Sequence, residues 1–258
     1  MTDLKLHFFY PEGHKKSGSF PAMVFFFGGG WNGGDAAHFY IQAKYLASRG
    51  MVAICADYRT KSSHGVLPFK CVEDGRSTMR YVRENAAKFG IDPQRIAAGG
   101  GSAGGHVAAA TAVIDRFDVG RNLDVNPVPD ALVLFNPVYA NGPGDYGFDR
   151  VADYWTYFSP MHNIDENHPP ALVFFGDSDD LVPVPTAEEY QRRMQELGIR
   201  SELHVFADKG HGFFNWERDP SPTKEIAIAT FSAMDAFLAS LGFLEGEPTA
   251  AMWVKARL

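Results

Sequence analysis

Uninterrupted apolar runs recur along this chain, and stretches with helical spacing separate them. The runs are "AMVFFFGGG", "MVAICADYR", "RIAAGG", "DALVLFNP" and "PALVFFGD". Such runs suit strands buried on both faces, which occur where helices cover both sides of a parallel sheet. "HFYIQAKYLASRG" has helical spacing and ends at Gly50, the residue type favoured just past a helix. "PFKCVEDGRSTMRYVRENAAKFG" opens on proline and stops at Gly90, which predicts a second helix. "AGGHVAAATAVIDRF" predicts an alanine-rich helix, "VPTAEEYQRRMQELG" an amphipathic one and "EIAIATFSAMDAFLASLG" a closing one. "LKLHFFYP" and "SELHVFA" alternate with period two and read as strands, the first at an edge. The repeated alternation predicts an α/β fold: a mostly parallel, doubly wound sheet with helices on both faces. The 258 residues are expected to form a single domain, because open α/β sheets reach this size as one unit and no repeat or linker interrupts the pattern.

Charge and composition exclude several classes. The formal net charge is -7 and no block of basic residues reverses it, which argues against a nucleic-acid partner. No window approaches the roughly 18 uninterrupted apolar residues of a membrane helix, so no membrane partner is expected. The N-terminal "MTDLKLHFFYPEG" lacks a basic region followed by an apolar stretch, so a cytoplasmic location is expected. Two cysteines, Cys55 and Cys71, do not make a disulfide framework and read as reduced packing residues. The tail over 245–258 carries Met252, Trp253 and Val254. It reads either as a strap lying back on the domain or as the contact of a homodimer.

The stretch "AAGGGSAGGH", residues 97–106, satisfies two motifs at once. Gly99-x-Gly101-x-x-Gly104 matches a dinucleotide-binding loop, and Gly100-x-Ser102-x-Gly104 matches the sharp turn that presents a nucleophilic serine. It lies at a strand-to-helix junction, where ligands bind in such sheets, so the glycines are not filler. A dinucleotide loop needs an acidic residue near the end of the next strand, but "DALVLFN" ends in Asn136 and Pro137. A serine nucleophile makes other demands. It needs a base within hydrogen-bond reach and an acid to orient that base, in the chain order serine, acid, histidine. Donors must also face the developing oxyanion. "FFGDSDDLVP" places carboxylates directly after a buried strand, and "DKGHGFFN" places His211 after the last strand. "FFFGGGW" puts three glycines after an earlier strand, where their N–H groups can converge on an oxyanion.

With "FGGGW", "DYR", "GGGSAGGH", "GDSDDLVP" and "GHGF", the chain resembles the α/β-hydrolase superfamily. Within it, the resemblance is to the hormone-sensitive-lipase-like esterases, including carbohydrate acetyl esterases, and it covers about residues 18–242. The resemblance implies Ser102 as nucleophile, with Gly100, Ala103 and Gly104 permitting its strained turn, and His211 as general base. Asp177, Asp179 and Asp180 compete as the acid. The family places it three residues after the strand-ending glycine and four before the proline, which selects Asp179. Asp177 and Asp180 then read as solvated or turn-accepting residues. Gly29 and Gly30 match the oxyanion donors, joined by the N–H of Ala103. No cofactor and no metal is implied.

Two positions depart from the family pattern. Phe27 stands where a histidine usually braces the glycine loop, and Gly101 stands where an acidic residue usually precedes the nucleophile. Asp57 and Arg59 in "ADYR" resemble loop-stabilising family residues. His106 and His204 read as structural. Trp31 is a candidate wall for the acyl or sugar moiety, and packing explains it equally well. Only about twenty residues precede "AMVFFFGGG", so no N-terminal cap is expected, and any lid is expected to come from residues 138–168. That segment is aromatic and irregular. The expected activity is hydrolysis of short acyl esters, including deacetylation of carbohydrates, on a small-molecule or carbohydrate ester. The alternatives are an arylformamidase-like amide hydrolase and a non-catalytic hydrolase-like binding protein.

Overall fold

The computed structural model describes residues 4–120, 122–216 and 222–258. Its strands are β1 (Leu6–Phe9), β2 (Phe20–Phe26), β3 (Val52–Ala56), β4 (Ile91–Gly101), β5 (Leu132–Phe135), β6 (Ala171–Gly176) and β7 (Ser201–Phe206). They form one sheet in the order β1-β3-β2-β4-β5-β6-β7. Only β1, the edge strand, runs antiparallel to its neighbour; all other pairs are parallel. The apolar runs are explained by this arrangement: β3, β5 and β6 are buried along their whole length.

The longer helices are α1 (Tyr40–Ser48), α2 (Phe69–Glu84), α3 (Ala103–Val113), α4 (Val184–Glu196), α5 (Lys224–Ser240) and α6 (Ala250–Arg257). The chain moves one way across the sheet from β2 to β3 and the other way from β3 to β4. Right-handed crossovers then put α1 and α2 on opposite faces. Accordingly α1 packs with α5, which in turn packs with α6, while α2 packs with α3.

Three elements differ in extent from the sequence pattern. The helix expected up to Gly90 breaks at Asn85, and a separate turn, Ala86–Phe89, ends at Gly90 with φ +67°. The alanine-rich helix stops at Val113, because Ile114 adopts extended backbone at φ -110° and ψ 101°. The tail forms the helix α6, whose Trp253 meets the rings of Tyr45 and Phe231 edge-on at 5.6 and 5.9 Å. Trp253 and Val254 are spent on the core, whereas Met252 stays 69% exposed. Arg49 ties α1 to α5 through Asp235 at 2.7 Å and reaches the tail at the Glu245 carbonyl, 2.9 Å away. Asp235 is wholly buried, so this pairing is what makes its charge tolerable. Arg59 spans Asp74 and Glu73 at 2.7 Å each, which pins the loop after β3 onto α2.

Residues 138–168 hold only short turns, Phe148–Val151, Trp155–Tyr157 and Pro160–His162. They fold down onto α3 through Phe158, which is fully buried. Among the described residues, no helix is long and apolar enough to cross a membrane. Pairings of Phe26 with Gly100 and of Gly101 with Phe135 bring the carboxyl ends of β2, β4 and β5 level. All six parallel strands, β2 to β7, therefore end at one edge of the sheet, the edge where such folds bind ligands.

Candidate active site

Ser102 sits between β4 and α3 with φ +54° and ψ -121°. Side chains rarely occupy that region, and holding one there costs on the order of 1–3 kcal/mol. Three backbone bonds hold it. Its N–H donates to the Phe135 carbonyl at 2.9 Å, and its carbonyl accepts from His106 at 3.0 Å and Val138 at 3.2 Å. The turn also requires α3 to run against the end of β2. A Cβ on Gly104 would lie 2.1 Å from the Phe26 carbonyl oxygen, so only glycine permits that approach.

The loop after β7 brings His211 over this serine. His211 Nε2 lies 2.8 Å from Ser102 Oγ, and His211 Nδ1 lies 2.8 Å from Asp179 Oδ2. Of the three neighbouring carboxylates, Asp179 alone is paired with the imidazole. Asp177 instead accepts from the Asp208 N–H at 2.8 Å and so braces the histidine loop, and Asp180 is exposed. Asp179 Oδ1 accepts the N–H groups of Leu181 and Val182 at 2.9 and 3.0 Å. Burial pushes the Asp179 carboxyl up, but His211 and these two N–H groups outweigh it and hold the carboxyl below its ordinary value. The side chain on His211 Nδ1 is therefore a carboxylate, which dictates that Nδ1 carries the proton and leaves Nε2 able to accept from Ser102.

Gly29 and Gly30 border the same cleft as Ser102 and His211. Among the described residues, their N–H groups and that of Ala103 have no acceptor within the chain. That leaves them available for an oxyanion. Phe27 does not brace this loop as a histidine would; its ring stacks on Tyr58 at 4.0 Å, and the Tyr58 hydroxyl donates to the Phe27 carbonyl at 2.6 Å. Bracing comes from two residues that no sequence spacing marked. His38 Nδ1 accepts from the Gly28 N–H at 2.9 Å, and Arg150 Nη1 donates to the Gly30 carbonyl at 2.6 Å. The second departure also has a packing cause. A Cβ on Gly101 would lie 2.2 Å from the Phe214 ring, so Phe214 fills the space an acidic side chain would need.

The cleft has a volume of about 420 Å³, and Tyr146, Leu181, His38 and Phe214 wall the space around Ser102. Trp31 is not among its walls, and of the two readings open for it, wall or packing, its surroundings are those of a packed residue. Trp31 is 1% exposed, packed against His106 and Phe158, with the Arg150 guanidinium over its ring at 5.0 Å. The folded-down insertion encloses it. His106 is structural as expected: it lies fully buried one turn into α3, its ring 4.1 Å from Phe158. Cys55 and Cys71 are both free and buried. Among the described residues, no cluster of three His, Cys, Asp or Glu side chains is placed to hold a metal ion.

A mostly parallel seven-stranded sheet with a strained serine turn on its middle strand is the architecture of the α/β-hydrolases. Comparison with known proteins is consistent with that class. The BD-FAE family model matches residues 6–127 and the dienelactone hydrolase family model matches residues 138–244. Esterase 2 of Thermogutta terrifontis, solved with propionate bound, superposes with a TM-score of 0.88 at 38% identity, covering 95% of this chain and 92% of that one. The same esterase is also known phosphorylated by paraoxon. Carboxylesterase NlhH of Mycobacterium tuberculosis is 34% identical over 122 residues, 46% of this chain and 36% of that protein. Endo-1,4-beta-xylanase B of Butyrivibrio fibrisolvens is 28% identical over 186 residues, 67% of this chain and 29% of that protein. The chain thus spans about a third of the length of these two curated relatives. It belongs to the α/β-hydrolase superfamily, among the esterases of the hormone-sensitive-lipase type.

Proposed function

We propose that the protein is a serine carboxylesterase that hydrolyses short acyl esters in two acyl-transfer steps, acetylated carbohydrates among them. The observation that carries this reading is the continuous chain of 2.8 Å contacts from Ser102 Oγ through His211 to Asp179. Ser102 Oγ attacks the ester carbonyl while His211 Nε2 takes its proton. The carbonyl oxygen, now an oxyanion, accepts from the N–H groups of Gly29, Gly30 and Ala103. His211 then protonates the departing alcohol. In the second step a water attacks the acyl-enzyme, gives its proton to His211, and the acid leaves as Ser102 is restored. Asp179 stays ionised throughout and favours the imidazolium that forms in each step.

Two features support the short-chain part. The cleft of about 420 Å³ is at the small end of the roughly 300–1,000 Å³ typical of ligand pockets. The T. terrifontis esterase carries propionate in one structure and butyrate in another. Similarity to part of a xylanase supports a carbohydrate ester as substrate. Hydrolysis of a series from acetyl to dodecanoyl esters tests the claim: activity is expected to peak at the short end, and a maximum at long chains overturns it. Formylkynurenine in the same series separates the ester reading from the amide one. Ser102→Ala is expected to abolish turnover while leaving the fold intact, and retained activity overturns the mechanism.

A further inference from the structure

On the sheet side, the Asp179 carboxylate is held by Asn136. It ends the run of β5, is wholly buried, and has φ +40°. Asparagine tolerates this left-handed backbone better than most side chains. Its N–H donates to the Phe174 carbonyl at 2.8 Å, which anchors it to β6, the strand that leads to Asp179. Its neighbour Phe135 accepts from the Ser102 N–H. Asn136 is thus fixed between the strand end that carries the serine turn and the one that carries the acid.

Its side chain reaches Asp179. Asn136 Nδ2 donates to Asp179 Oδ2 at 2.5 Å, the same oxygen that accepts from His211 Nδ1 at 2.8 Å. Leu181 and Val182 take the other oxygen. An ionised carboxylate has about four lone-pair sites, and here four donors occupy them. The carboxylate can neither rotate away from His211 nor readily take up its proton.

We propose that Asn136 is a positioning residue for the acid of the triad, resting on the assignment of Ser102, His211 and Asp179 given above. It aims Asp179 Oδ2 at the imidazole and draws charge off that oxygen. Without the amide, the negative charge on Oδ2 is less spread and holds the imidazolium more tightly, so the base is freed of its proton only at higher pH. Other titratable groups face the imidazole too. Asp35, His38 and Tyr146 line the same cleft, and Asp177, Asp180, Asp208 and Lys209 lie on the loops beside it. None of them changes in the variants below, so they shift every profile alike.

The readout is the rate at which a fluorophosphonate labels Ser102 as a function of pH, which needs no knowledge of the natural ester. Asn136→Gly accepts the positive φ without strain and removes the whole side chain, its amide included. It is expected to label about tenfold more slowly near neutral pH, the loss of one charge-assisted hydrogen bond. Its acid limb should move to higher pH, whatever the change in melting temperature. Asn136→Asp keeps the shape but sets a second carboxylate against the first, and should move the limb further up. A wild-type rate and limb in Asn136→Gly overturn the proposal. So does a uniform slowing with an unmoved limb and a lowered melting temperature, which is the signature of a strand-end role alone. Wild-type protein that fails to label at all removes the serine-nucleophile assignment instead, so the two failures are told apart.

Discussion

His106→Gln isolates the effect of a buried imidazole beneath the insertion. His106 Nε2 lies 2.9 Å from the Phe158 carbonyl oxygen, which can only accept, so Nε2 carries the proton and Nδ1 is bare. The ring is fully buried, and burial pushes its pKa down from 6.5 to about 3, against the smaller opposing pull of that carbonyl. Between those two values the unfolded chain binds a proton that the folded chain refuses. Stability contributed by the neutral ring is therefore complete above pH 6.5 and falls by about 1.4 kcal/mol for each pH unit below it, until the folded value near 3 is reached. At pH 5 the loss is about 2 kcal/mol, and at pH 7.5 it is close to nothing. Glutamine offers an amide donor to the same carbonyl and does not titrate. Urea unfolding at pH 7.5 and pH 5 should then show the wild type losing about 2 kcal/mol more than His106→Gln. His168, which burial lowers to about 4, titrates alike in both proteins and cancels from the difference. Equal losses in the two proteins would refute the neutral, buried ring.

Two further outcomes follow from contacts around the serine turn. Gly101→Ala drives a methyl into the Phe214 ring and should lower stability by about 1–3 kcal/mol in thermal melts, with part of the loss restored by adding Phe214→Leu; an unchanged melt would show that the ring is not fixed there. Arg150→Met keeps much of the packing over Trp31 and Tyr146 but loses the bond to the Gly30 carbonyl. It should cut kcat/KM for an acetyl ester by about tenfold, and a change of less than about twofold would mean the glycine loop holds its shape unaided.

The alternation of apolar runs and helical spacings determines the strands, the longer helices other than α6 and the mainly parallel sheet, because two-sided burial and helix amphipathicity are local periodic properties of a chain. Ser102 and His211 stand out for a related reason: each is a reactive side chain set among glycines just after a strand, where the backbone must turn sharply. The departure at Phe27 shows where that legibility stops. The sequence marks the missing histidine but not its replacement, since His38 supports the glycine loop from the next helical turn and Arg150 supports it across 120 positions of chain. Trp31 read equally well as wall or packing, and the answer depended on whether residues 138–168 fold over it. The same holds for Asn136, a strand-ending asparagine in sequence and a donor to Asp179 only once β5 and β6 lie side by side. Periodicity encodes which way a residue faces on its own element. Which side chain it then meets is set by how separate elements pack, and that is decided only in the tertiary structure.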